Sequence, residues 1–233
     1  MMDHKTIHEG HRYRMKQKFR EQGLDSLMEH EILELLLYYA IPRKNTNVIA
    51  HRLIDEFGSL SQVFDTPPEI LKDFGLSEST TSFLKLIPQV CSYYYQQKTA
   101  SVNKRYVTDE EIGKRLLTFF LGATEERVVA MYLNSSSNEI ISGIVSKGSV
   151  GASEIYIRKL IEYAIQYHAS GLVIAHNHPS GVLIPSEADI RATVQIQKAL
   201  AAIHVKLYDH FIFSESGYIS MANDEPTAEM FML

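Results

Sequence analysis

The chain has 233 residues, 45% hydrophobic and 22% charged, a make-up that excludes a collagen, a coiled-coil rod and a mostly disordered protein and suits one or two globular domains. No apolar run approaches the roughly 18 residues of a membrane span, and the first residues lack an apolar signal core. The formal net charge is −5, and the lone cysteine, Cys91, excludes an intrachain disulfide or a thiolate metal cluster. These features predict a cytoplasmic protein with no membrane partner. Cys91 is expected to pack as an inert residue, and any metal site must use His, Asp and Glu.

The first hundred residues read as helices. Residues 11–22 (HRYRMKQKFREQ) form a helix stopped by Gly23. Its basic residues, Arg12, Arg14, Lys16, Lys18 and Arg20, read as a solvated helix face or as a nucleic-acid contact. Histidines 4, 8 and 11 are expected to be frayed and solvated. Glu29 to Ala40 has apolar residues at helical spacing, with Pro42 as a breaker. Asn47 to Phe57 repeats the pattern and ends at Gly58. A short helix opens at Pro67-Pro68-Glu69, and a longer one runs from about Ser77 to Gln97 with Pro88 as a kink. A polar stretch over 99–107 marks the boundary, giving an all-α domain over 1–100 and a second domain over 106–233.

The second half alternates. Thr108–Gly122 is predicted helical, Arg127–Leu133 and Glu139–Ser146 are strands, and Ser153–His168 is a helix. Gly171–His176 is a buried strand, Ser186–Ala202 a helix and His204–Phe213 a strand, with a short edge at Tyr218–Met221. This order implies a mixed α/β layer. Residues 1–107 hold 14 Lys/Arg against 13 Asp/Glu, and residues 108–233 hold 9 against 15, so no broad basic surface is expected.

The chemistry concentrates in residues 175–190, AHNHPSGVLIPSEADI. His176 and His178 are two apart at the end of a strand, so both rings can face one side. Pro179-Ser180-Gly181 turns the chain, and Asp189 falls in the first turn of the next helix. Two imidazoles and one carboxylate make a three-ligand shell that suits Zn²⁺ and leaves a fourth position for water. A non-ligand Glu would carry protons, and a hydroxyl such as Ser186 would support an oxyanion. The plainer reading of Ser186 and Asp189 is a helix-capping pair, but it leaves the paired histidines unexplained.

At these residues the sequence resembles the JAMM (MPN+) metalloprotease motif, H-x-H-x7-S-x2-D, and in its extended form the RadC branch of that superfamily. The likeness continues through Leu207-Tyr208-Asp209-His210-Phe211-Ile212, the turn Ser146-Lys147-Gly148-Ser149, and the helical segments HRYRMKQKF and ELLLYYAIPRKNTNVIAHRL. The resemblance implies a C-terminal mixed-sheet JAMM/MPN domain, cytidine-deaminase-like in fold, preceded by an all-α helix-hairpin-helix-like domain. It implies His176, His178 and Asp189 as zinc ligands, Ser186 as a catalytic residue, and a catalytic Glu just before the first strand. The candidates for that Glu are Glu125 and Glu126, and strand alignment favours Glu126. The implied activity is hydrolysis of a peptide or isopeptide bond in a polypeptide substrate. The alternative is a DNA-repair-associated accessory protein with little turnover. Two departures stand out: Tyr156-Ile157-Arg158-Lys159 replaces a His-Pro-Arg-Glu string, and Ser77 replaces the second glycine of the hairpin. With Glu78 beside it, DNA contact through the hairpin is expected to be weak. His210 reads as a satisfied core histidine or as a partner of a ligand.

Overall fold

The computed structural model describes residues 4–42, 44–99, 104–148 and 153–232, with the helical backbone alone at 4–9 and 153–156. The His4, His8 and Tyr156 side chains, Ser149 and residues 100–103 of the polar stretch lie outside what is described. The chain divides into two compact units, Met1–Val90 and Cys91–Leu233, and the division falls inside one helix.

The first unit holds α1 (His4–Gln22), α2 (Glu29–Ala40), α3 (Thr46–Phe57), α4 (Leu60–Asp65), α5 (Pro68–Asp73) and the start of α6 (Glu78–Thr99). Its core joins Leu33 and Leu37 of α2 to Ala50 and Leu53 of α3, with Val63, Leu71 and Leu84 from the following helices. Sequence reading missed α4, a short helix capped by Ser59, whose Oγ accepts from Gln62 N. The α5–α6 hairpin is formed. Gly75 takes φ +108°, in the left-handed region. Ser77 Oγ accepts from Thr80 N, so the residue in place of the second glycine caps the next helix.

Two expectations for α1 are corrected. His11 is only partly solvated, its side chain 38% exposed. Its Nε2 lies 3.1 Å from Glu34 Oε1, a buried carboxylate that also accepts from Tyr38 Oη at 2.8 Å and Asn47 Nδ2 at 2.9 Å. An acid inside the unit needs those partners. The basic run is not wholly free either. Arg12 donates to the carbonyls of Ile41 and Lys44, and Lys18 pairs with Glu31 at 3.0 Å.

The second unit is a five-stranded mixed sheet with helices on both faces. It contains α7 (Asp109–Leu117), β1 (Arg127–Leu133), β2 (Glu139–Lys147), α8 (Ser153–Gln166), β3 (Gly171–Asn177), α9 (Glu187–Ala201), β4 (Lys206–Ser214) and β5 (Gly217–Ser220). The strand order is β2-β1-β3-β4-β5, with only β3 and β4 parallel. The two are joined through α9, as a parallel pair requires. β3 is buried at every position, the mark of a strand covered on both faces. One face packs Leu172, Ile174 and Leu207 against Leu160 of α8 and Ile196 and Leu200 of α9. The other packs Val173, Ala175, Phe211 and Phe213 against Leu116 and the phenylalanines after α7.

The helix expected over 108–122 ends at Leu117. Phe119 N and Phe120 N then bond three residues back, which tightens the chain and turns both rings into the core. α6 continues through Pro88 to Thr99. Cys91 is exposed rather than packed. Among the described residues, no helix is long and apolar enough to cross a membrane.

Between β3 and β4 the register slips. Leu172 faces Leu207, but Val173 faces Asp209, so Tyr208 is an extra residue in β4. The extra residue sets which face each of the next two takes: Asp209 shares the face of Val173 and Phe211, and His210 that of Ile174 and His176. Asp209 accepts from His210 N, Ala222 N and Ser220 Oγ.

α7 comes close to β5 at Gly113, where a Cβ would stand 2.5 Å from Tyr218 Cζ. Tyr218 packs on Phe211 and Phe213 with ring centroids 5.6 and 5.3 Å away, so it cannot retreat. Gly→Ala inside a helix normally stabilises by about 1 kcal/mol. Here overpacking costs about 1–3 kcal/mol, and Gly113→Ala is expected to lower the midpoint of urea unfolding.

Candidate metal centre

His176 sits near the end of β3, at the middle of the sheet, and is 3% exposed. The chain leaves the strand at His178, whose N–H still bonds Phe213 O, and turns so that Gly181 N bonds His178 O. Ser186 then caps α9. Its Oγ accepts from Asp189 N at 3.1 Å and donates to Asp189 Oδ2 at 2.6 Å, while Ser186 N donates to the same oxygen at 2.7 Å. This capping box holds the carboxylate of the first helical turn back toward the strand end. Both roles foreseen for this pair, capping and a place beside the histidines, are present together.

The three groups converge. His176 Nε2 is 2.9 Å from His178 Nε2 and 3.2 Å from Asp189 Oδ1, and His178 Nε2 is 3.4 Å from Asp189 Oδ2. Among the described residues these are the three whose possible ligand atoms all lie within 4.8 Å of one another. Burial pushes the Asp189 carboxyl up, but His176 beside it and the two Ser186 donors outweigh that and hold it well below the usual carboxylate range. Asp189 is therefore an anion that only accepts.

The tautomer of His178 follows from its other nitrogen. Nδ1 lies 2.7 Å from Val182 O, and a carbonyl can only accept, so Nδ1 carries the proton. In the neutral ring Nε2 is then a bare lone pair. Two acceptors, His178 Nε2 and Asp189, thus face His176 Nε2 across a gap that calls for positive charge. Either a proton on His176 or a cation satisfies it. Atoms each about 2.0–2.1 Å from one tetrahedral ion stand roughly 3.3 Å apart, close to the separations seen. The donor set therefore fits a divalent metal ion.

Glu126 and Glu125 precede β1 and part ways. Glu126 is half-buried and lines a small cavity of about 20 Å³ with His176, Asp189 and His210, room for about one water. Burial pushes its carboxyl pKa up, His176 pulls it down and Asp189 raises it again, leaving it above the ordinary value. Glu125 is exposed. Its carbonyl accepts from Asn177 Nδ2 at 3.2 Å, and Asn177 Oδ1 accepts from Arg127 N at 2.8 Å. The buried Asn177 thus pins the backbone on both sides of Glu126.

His210 is buried, with Nε2 2.8 Å from His176 Nδ1 and Nδ1 2.7 Å from Thr193 Oγ1. Both readings of it hold at once, since it is satisfied and it touches a candidate ligand. Burial pushes its pKa well below the ordinary value, so the ring is neutral. Sequence reasoning missed Asn177, Thr193 and the Val182 carbonyl. Asn177 lies between the two histidines and carried a signal. Thr193, four residues after Asp189 on one helix face, carried a weaker one.

A mixed α/β sheet with two histidines at its central strand end and an aspartate in the next helical turn is the arrangement of a JAB-type domain. The family model described as "RadC-like JAB domain" matches residues 106–226. A curated protein of Fusobacterium nucleatum subsp. nucleatum, UPF0758 protein FN0909, is 35% identical over 225 residues, 93% of this chain and 96% of that protein. The chain belongs to the RadC-like JAB-domain family.

Proposed function

We propose that this protein is a zinc-dependent hydrolase of JAMM type that cleaves a peptide or isopeptide bond in a polypeptide. The observation that carries the reading is the convergence of His176 Nε2, His178 Nε2 and the Asp189 carboxylate within 3.4 Å contacts, with Glu126 on the same cavity. A set of two nitrogens and one oxygen with no thiolate suits zinc. When bound, such an ion polarises a carbonyl and makes a water acidic enough to supply hydroxide near neutral pH.

The remaining work falls to side chains of this chain. Glu126, with its raised pKa, takes a proton from the attacking water and returns it to the leaving amine. Asn177 holds the backbone that aims Glu126. Ser186 acts through Asp189 while its O–H is donated to Oδ2; a bond to a developing oxyanion requires that donation to be exchanged. The α5–α6 hairpin adds little to a second, DNA-directed reading. At its turn Lys72 lies 3.6 Å from Glu78, so the nearest cation faces an acid.

The first test is metal content. Purified protein is expected to carry close to one zinc per chain by inductively coupled plasma mass spectrometry. His178→Ala and Asp189→Ala proteins, folded by circular dichroism, are expected to carry almost none. Zinc-free wild-type protein after reconstitution would end the proposal.

A further inference from the structure

His176 is gripped from behind by a hydrogen-bonded chain that returns to another candidate ligand. His176 Nδ1 meets His210 Nε2 at 2.8 Å, His210 Nδ1 meets Thr193 Oγ1 at 2.7 Å, and Thr193 Oγ1 meets the main-chain carbonyl of Asp189 at 2.6 Å. The three contributing elements are β3, β4 and α9, so the chain also staples the strand end to the helix start.

The protons on this chain can be placed one by one. The Asp189 carbonyl only accepts, so the Thr193 hydroxyl spends its single proton there. Thr193 Oγ1 must then accept from His210, which puts the His210 proton on Nδ1. In the neutral ring His210 Nε2 is an acceptor, so His176 supplies the proton between the two rings from its Nδ1. In the neutral ring His176 Nε2 is then a lone pair facing His178 and Asp189.

We propose that His210 and Thr193 are positioning residues that fix the proton of His176 on Nδ1 and so present its Nε2 lone pair to a divalent metal ion. This rests on the metal-centre reading above. Thr193 is the anchor. Without its hydroxyl, His210 is free to carry its proton on Nε2, which would drive the His176 proton onto the metal-facing nitrogen. Partners that orient a ligating histidine typically change metal affinity by about 10–100-fold when lost.

The test uses the full chain with two readouts. In ¹⁵N-labelled, metal-free protein, at a pH where the rings are neutral, long-range ¹H–¹⁵N spectra are expected to show His176 protonated at Nδ1. Thr193→Val should show proton on Nε2 or a mixture. In competition with a chromogenic chelator, Thr193→Val and His210→Leu are expected to bind zinc about 10–100-fold more weakly, while Thr193→Ser, which keeps the hydroxyl, restores affinity. Should His210→Leu fail to fold, the Val/Ser pair at 193 decides alone. The proposal is overturned by a wild-type His176 with no proton on Nδ1, or by equal zinc affinity in Thr193→Val and Thr193→Ser. If the wild type binds no zinc, the hydrolase reading fails. The tautomer comparison on the same metal-free samples then upholds or overturns the relay by itself.

Discussion

Glu126→Gln protein is expected to keep one zinc per chain and to lose turnover by about 10²–10⁴-fold, the contribution of a positioned acid–base group. The substitution keeps shape and removes only the ability to take up and release a proton. It leaves His176, His178 and Asp189 untouched, so metal content should not change. The measurement is cleavage of a fluorogenic peptide or Lys-linked isopeptide that the wild type cuts, with metal content determined on the same samples. Glu125→Gln provides the contrast. Glu125 is exposed and meets Asn177 through its backbone, so its turnover should stay near wild type. A Glu126→Gln protein as active as the wild type would mean that the cavity carboxyl moves no proton and that another group carries it.

The second large effect concerns stability. Arg115 of α7 and Glu139 of β2 form a buried ion pair at 3.0 Å, with side chains 6% and 4% exposed. Tyr106 Oη and Ser142 Oγ each donate to Glu139 at 2.6 Å, and Arg115 also donates to Ser142 Oγ and to Gln96 O. Removing one charge leaves the other buried and uncompensated, at a cost of about 3–5 kcal/mol. Arg115→Met and Glu139→Leu should each lower urea stability by that amount, a large share of the roughly 5–15 kcal/mol of a typical domain. The double variant should recover much of the loss, because two apolar residues of similar volume leave no orphaned charge. Additive losses would show that the pair is not coupled.

Much of the centre was legible because its determinants are local. A strand period places His176, a turn follows at Pro179-Ser180-Gly181, and the S-x-x-D spacing describes both a capping box and the placement of Asp189. Glu126 was separable from Glu125 only through strand alignment, and the structure shows the physical difference as burial against exposure. What escaped depends on partners far apart in the chain. Glu34 draws His11 from 23 residues away, and Arg115 reaches Glu139 across 24, pairings that no periodicity reports. The early end of α7 likewise follows from two phenylalanines that bury better in tight turns than on a continued helix. The alternatives for His210 stayed open because face assignment along β4 assumes unbroken alternation.

That assumption fails at Tyr208, and the failure has an evolutionary consequence. Because Tyr208 is the residue that β4 carries in excess, removing it would restore an unbroken ladder and leave Asp209, His210 and the phenylalanines on their present faces. A lineage of this fold can therefore lose the residue at 208 without moving the imidazole, but cannot drop one from the regular ladder beyond it without sending the residues that follow to the opposite face. Its tolerance for deletions should therefore be greater at 208 than across 211–213, and ordinary at the hairpin tip 215–216.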